Sequence, residues 1–449
     1  MTRTSPSRRR FLASTATAAG ALIAAPFVRG AHAAGRLTVG FWDHFVPSAN
    51  PVLAQLCNEW AEREKVELQI DFITSLGNKL QLTHAAESQA RSGHDMLAHY
   101  NWPMTSYADK LEPVDDVMKE LIARNGPVHG AVEVLGRQKG RWIAVPITHG
   151  SQILPPCSRF DLLKQHAGLD VPAIFPAGTQ PDQAKVDAWT WEAFLGAAEK
   201  CHKAGFPFGL PLGQTGDSIN WVGALSNAFG AVPVNEKGDI TLKSDETRQM
   251  LDYMKRLAAF LPPDVFAWDD GSNNRWLVSG RGALILNGPS AWAVAKRDAP
   301  HIAEQCWTHA MPKGPKGRFV SHTPFFGGIW SFAKNKPAAK SLLLHLSTRE
   351  SVGKMVAASQ GFDLPSFTRF NDFETWAEQG PPKGTIWNYP SRGDQVQVIT
   401  GSPAPPEIAA QIYAQATMPK MVARYLQGGQ SIDQAIGAAE RELEGFSRT

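Results

Sequence analysis

Between residues 37 and 73 the chain reads as strand, helix, strand, and nothing else in it restricts folding as strongly. Residues 37–42 (LTVGFW) are a short apolar run of the kind expected for a strand buried on both faces. Asn50 and Pro51 supply a helix cap and a first-turn proline, and Val52, Leu53, Leu56 and Trp60 follow at helical spacing to about Lys65. Residues 66–73 (VELQIDFI) alternate as a strand does. Two strands joined through a helix in this way are expected to run parallel, with a right-handed crossover.

The same grammar continues. A helix is expected over 77–92, closed by Gly93, and then a short strand at 95–99 that ends in Tyr100-Asn101-Trp102. The first strand ends in Trp42-Asp43-His44, so two strands run into a tryptophan among polar side chains at their C-terminal ends. Open parallel sheets bind ligands in the crevice there. Further strands are expected at 142–146, leading to Thr148-His149-Gly150, at 282–287, followed by Gly288-Pro289, and at 329–333, preceded by Gly327-Gly328. Thr190 caps a helix with Trp191, Phe194, Leu195 and Ala198 on one face, and a last helix spans about 431–446. The fold class is α/β. With 449 residues the chain exceeds the roughly 250–300 at which single cores stop growing, so at least two lobes are expected.

The N-terminus carries Arg8-Arg9-Arg10-Phe11-Leu12, an uncharged stretch rich in Ala and Thr, and Ala31-His32-Ala33. These are the parts of an export signal over 1–33, with paired arginines that resemble the twin-arginine motif. A periplasmic location follows as the expectation. Export removes five of the 45 basic residues and none of the 42 acidic ones, which leaves a formal charge of −2. Electrostatic binding to nucleic acid or to an anionic membrane therefore has no support. Cys57, Cys157, Cys201 and Cys306 show no C-x-x-C and no disulfide framework, so buried free thiols are expected.

Motifs for catalysis are missing: no G-x-S-x-G, H-E-x-x-H, phosphate-binding loop or dinucleotide fingerprint occurs. His84, His94 and His99 match no metal spacing, and neither a metal nor a cofactor is expected. Asp269-Asp270 beside Gly271 reads as a turn, as does GPKG at 314–317. Tryptophan is more telling, with 14 Trp against 6 Tyr. Trp42, Trp102, Trp221, Trp292 and Trp330 sit at strand ends or loop mouths, whereas Trp60 and Trp191 read as helix-face core. Flat aromatic faces beside Asp, Asn, His and Gln suit a ligand with an apolar C–H face and a rim of hydroxyls.

The chain resembles the solute-binding proteins of ABC importers, in the carbohydrate-type group that includes maltose-binding protein. The blocks that carry the resemblance are the first strand ending in Trp42, residues 140–146 and 161–172, the Thr-Trp helix at 190–200, residues 278–292, MPKGPKG at 311–317, Gly-Gly-Ile-Trp at 327–330 and GFDLP at 361–365. Two departures stand out: an added loop at roughly 173–188, and Thr148-His149-Gly150 where the group carries an aromatic or Asn-containing run. The resemblance implies two lobes around a hinge, with 36–147 and 288–325 in the first lobe and 148–287 and 326–449 in the second. It implies crossings near 147–150, 287–290 and 324–328.

By position, Trp42, Asp43, His44, Asn101 and Trp102 would face the cleft from the first lobe. Gln214, Asp217, Trp221, Gly328 and Trp330 would face it from the second, with His149 and Trp292 near the crossings. The implied protein is a monomer that captures a sugar or polyol and delivers it to the importer's transmembrane subunits. The rival readings are a binder of a non-sugar solute, a periplasmic protein bridging partners, and an exported glycosidase using Asp43 with Asp217 or Asp363, which needs two carboxyls at a set separation. An anionic ligand would need an arginine in the cleft, and nothing in the sequence directs Arg159, Arg275 or Arg369 there.

Overall fold

The computed structural model describes residues 35–380, 383–384 and 393–446. The export signal expected at 1–33 lies outside them.

The opening unit forms as read. β1 (Arg36–Trp42) and β2 (Glu67–Ile73) pair in parallel, with Trp42 opposite Ile73, and α1 (Ala49–Glu64) crosses between them. α1 buries Leu53, Leu56, Cys57, Trp60 and Ala61, a single stripe at helical period, and stops at Lys65 in the left-handed region. Asn50 does not cap it. The helix begins one residue earlier, and the Asn50 side chain instead accepts from the His44 backbone N–H and donates to Asp43. α2 (Lys79–Ala90) leads to β3 (Met96–Tyr100), parallel to β1 with Val39 opposite Met96. The C-terminal ends of all three strands therefore open on one edge.

β4 (Val145–Ile153) then leaves this lobe. The second lobe has a small antiparallel sheet in which β5 (Pro156–Arg159) is central, and α3 (Gly216–Phe229) is buried along most of its length. Beside β5 lie β6 (Leu284–Leu286), with Ile285 opposite Cys157, and β7 (Cys306–Thr308), with Thr308 opposite Cys157. Residues 313–318 make a tight hairpin, which is where the GPKG turn falls. The added 173–188 segment holds a short helix, Gln183–Asp187, pinned by Lys313 Nζ donating to Asp187 at 2.9 Å.

One long strand joins the lobes. β8 (Gly317–Ile329) pairs antiparallel with β3 over its second half, with Phe325 opposite Tyr100. β4 runs antiparallel beside its middle, with a shift of register between Thr323 and Phe325. α4 (Lys336–Leu346) and α5 (Arg349–Ala358) pack on α1. The first half of β8 pairs in parallel with β9 (Gln395–Val398), and α6 (Pro406–Ala414) lies against the 3₁₀ turn Trp102–Lys110 that follows β3.

This pairing corrects the expected allotment of 288–325 to the first lobe and of all of 326–449 to the second. β7 is hydrogen-bonded to β5 of the second lobe, and α4 and α5 cover α1 of the first. The chain returns along β8 itself, so residues up to about 321 stay with the second lobe and 325–358 belong to the first. All four cysteines are buried free thiols. No helix among the described residues is long and apolar enough to cross a membrane.

Candidate functional site

The crevice at the strand ends is narrow in this structure. Three groups of residues line about 50 Å³ of space, partly open to solvent. Trp42, Phe45, Ser75, Leu80 and Tyr100 come from the C-terminal edge of the first lobe's sheet. Gln152, Leu154, Thr323 and Phe325 come from the joining strands β4 and β8. Gly216, Asp217, Asn220, Asp270 and Tyr413 come from the start of α3, the loop before the short helix Ser272–Val278, and α6.

Trp42 is 2 % exposed. Its indole N–H donates to Ser75 Oγ at 3.2 Å, and its ring meets Phe45 edge-on at 5.2 Å, with Phe325 at 5.3 Å. These contacts fix an aromatic wall. Tyr100 extends it, stacked on Phe325 at 5.5 Å.

The opposite wall is polar. Thr215 caps α3 by accepting the Ser218 N–H, and Asp217 lies in the helix's first turn. Asp217 Oδ2 accepts from Asn273 Nδ2 at 2.7 Å, and the Asp217 backbone N–H donates to Asp270 Oδ1 at 3.1 Å. Burial, and after it the neighbouring Asp270, hold the Asp217 carboxyl well above the usual carboxylate range. Burial also raises Asp270, against hydrogen bonds from the helix start. The two phenols are kept protonated by burial. Tyr100 Oη accepts from Gln81 Nε2, and Tyr413 Oη accepts from Asn220 Nδ2 at 3.3 Å, so each keeps its own hydrogen to donate. Asn220 is oriented from behind, its Oδ1 accepting from Ser321 Oγ at 3.0 Å.

Of the twelve residues singled out from sequence, Trp42 and Asp217 line this cavity and the others do not. Asp43 is exposed and accepts from Asn50 Nδ2 at 2.8 Å. His44 turns the other way into a buried network. Its Nδ1 accepts the Val46 N–H at 2.8 Å, which leaves Nε2–H to donate to Asp363 Oδ1 at 3.1 Å. Asp363 Oδ1 also accepts the Gly150 N–H at 2.7 Å, and burial raises the Asp363 carboxyl. His149 faces the same network, its Nε2 donating to Asn50 Oδ1 at 3.1 Å, and burial holds it well below the usual imidazole range.

Asn101 is buried and accepts the Trp102 N–H, starting the 3₁₀ turn. The tryptophans beyond Trp42 are structural. Trp102 donates to Thr400 O at 2.7 Å, Trp221 to Pro211 O at 2.7 Å, and Trp330 to Glu87 Oε2 at 3.0 Å. Trp292 is buried beneath Lys296, whose Nζ stands 4.6 Å from the ring centre. Gln214 is exposed. Gly328 lies opposite Leu97 in β8, where a Cβ would come within 2.6 Å of His99.

The carboxylates proposed for a glycosidase are not gathered in one cavity. Asp43 is at the surface with Asn50, Asp363 is sealed against His44, and only Asp217 lines the cleft. Its partner there is Asp270, which reads as a turn residue in the sequence. Asp269 does form that turn, accepting from the Gly271 N–H and from Arg275, while Asp270 points to α3. Tyr100 was within reach of sequence reasoning, being the terminal residue of a strand whose end faces the crevice. Asp270 and Tyr413 carry no local signal.

A two-lobed α/β chain with a cleft where its joining strands meet has the architecture of a binding protein that closes around its ligand. The chain belongs to the family of bacterial extracellular solute-binding proteins, which it matches over residues 55–418. Among solved structures, maltose-bound MalE3 of T. maritima has a TM-score of 0.71 at 18 % identity, covering 91 % of this chain and 99 % of that one. A solute-binding protein of an ABC transporter from Thermotoga lettingae, bound with α-D-tagatose, has a TM-score of 0.72 at 17 % identity, covering 92 % and 99 %. The GacH receptor of Streptomyces glaucescens, solved unliganded and with acarbose, has a TM-score of 0.68 at 18 % identity, covering 91 % and 98 %. No curated protein matches the sequence.

Proposed function

We propose that this protein is the periplasmic binding component of an ABC importer. It captures a sugar or polyol between its lobes, presents it to the transmembrane subunits, and makes or breaks no covalent bond. The observation that carries this reading is that one cleft is lined by both apolar faces and hydrogen-bond acceptors. Trp42, Phe45, Tyr100 and Phe325 offer apolar faces to ring C–H groups, and Asp217, Asp270, Gln152 and Thr323 offer acceptors to hydroxyls. Pre-placed acceptors left without hydroxyl partners penalise any ligand that lacks them, which gives specificity. The three solved relatives named above hold a saccharide or a saccharide mimic, which supports the same class here. The twin-arginine-like N-terminus supports export in the folded state, and the protein works as a monomer.

The test is a thermal-shift screen of the chain from about residue 34 against sugars, polyols, amines and small acids. A ligand at about a hundred times its Kd stabilises the folded state by about 2.7 kcal/mol, an upward midpoint shift well outside error. Recovery of the ligand unaltered supports capture. Stabilisation by none of the panel, or turnover of a glycoside, contradicts it.

A further inference from the structure

The polar groups of the cleft are unbalanced in one direction. Among its described lining residues are two carboxylic acids, Asp217 and Asp270, and no lysine, arginine or histidine. Arg275 is close in sequence, but its Nη2 donates to Asp269 Oδ1 at 2.7 Å, in a turn exposed outside the cleft. Thr323 is 5 % exposed, lines the cavity, and has an Oγ1 with no hydrogen-bond partner; Gln152 Oε1, also in the lining, has none either. The remaining surface is largely aromatic, and aromatic ring faces are themselves electron-rich.

A neutral polyol satisfies the vacant acceptors but does nothing to offset the burial and mutual repulsion that oppose ionisation of Asp217 and Asp270. An anion opposes that ionisation further. A protonated amine supplies three N–H donors and no acceptor, and its charge offsets the pair. On the solute-capture reading above, on which this rests, we infer that the cleft selects a hydroxylated ring compound bearing a protonated amine, an amino sugar, with its ammonium group between Asp217 and Asp270. Gln152 and Thr323 then meet ring hydroxyls, and the aromatic wall meets the apolar ring face.

Two isosteric pairs test this by calorimetric titration of the full mature chain at neutral pH: glucosamine against glucose, and chitosan disaccharide against cellobiose. The pairs differ only at the 2-positions, where ammonium replaces hydroxyl once in the first pair and twice in the second. The amine of at least one pair is expected to bind about tenfold or more tighter than its neutral twin. Asp217→Asn and Asp270→Asn should each shrink that preference to within about twofold, while the neutral twin is affected less. Asn keeps the shape and one oxygen acceptor of Asp at both positions, and the free-protein melting midpoint of each variant shows whether it folds. The proposal is overturned if the neutral twin binds equally well, if both variants keep the preference, or if only neutral sugars of the wider panel bind. In those cases solute capture stands. Failure of every sugar, charged or neutral, overturns both.

Discussion

Trp42 and His44 are two residues apart and do different work. Trp42 closes the aromatic wall of the cleft, and its burial makes removal costly: Trp→Ala at such a site loses about 3–5 kcal/mol of stability. Trp42→Phe is the sharper probe. It should melt within a few degrees of the parent and lose ligand-dependent stabilisation, since it keeps an aromatic face but neither the area nor the N–H to Ser75. His44 instead belongs to the joint between the β1 loop, β4 and the 361–365 turn through Asp363. Asp363→Ala strands the His44 Nε2–H and the Gly150 N–H in a buried place, and should cost about 3–5 kcal/mol in chemical denaturation. Asp43→Asn, at the surface, should change stability by less than about 0.5 kcal/mol and leave binding intact. The sequence located Trp42 because strand periodicity places a strand's last residue. Asp270 and Tyr413 were illegible for the opposite reason, since only tertiary packing carries a turn and a late helix to the start of α3.

At the scale of elements, the strands and helices of the first lobe could be read closely, because parallel strands and a one-sided helix leave clean periods in the chain. The joining strand was the failure. β8 is one strand of 13 residues, but Pro324 and the Gly327-Gly328 pair interrupt its pattern, and the strand expected at 329–333 falls almost wholly beyond its last residue, Ile329. With the strand itself hidden, its direction of return is not legible, and the segments that flank it, 288–321 and 326–358, change lobes. The glycine pair has a physical reason. Added Cβ atoms would stand 2.5 Å from Leu343 at Gly327 and 2.6 Å from His99 at Gly328, so both positions hold the sheet against its neighbours. Gly328→Ala should therefore destabilise by about 1–3 kcal/mol through overpacking, read from the shift in denaturation midpoint at unchanged slope.

Across the whole molecule, buried imidazoles set the response to acid. Burial pulls His84 down to about 4 and His309 and His322 to about 3, from an ordinary value of 6.5. His99 and His149 are held well below it for the same reason. A histidine that resists protonation when folded stabilises fully above the unfolded value, and that stability is lost as pH falls from about 6.5 toward the folded value. The raised carboxyls of Asp217, Asp270 and Asp363 act in the opposite sense. His129 and His345 are lowered too, which makes seven such imidazoles against one raised, His94, and three raised carboxyls, so the melting midpoint should fall between about pH 7 and about pH 5. A flat or rising midpoint across that range would count against this assignment of buried neutral histidines.

The central claim is that the cavity between the lobes holds a polar solute and leaves it unchanged. Its most direct measurement is a calorimetric titration of the mature chain with the strongest ligand of the thermal-shift screen, run beside Asp217→Asn and Trp42→Phe, followed by mass analysis of the ligand released on denaturation. The account predicts one saturable site per chain, affinity reduced about tenfold or more in both variants, and a ligand of unchanged mass. Binding untouched by both variants, or recovery of a cleaved ligand, would contradict it.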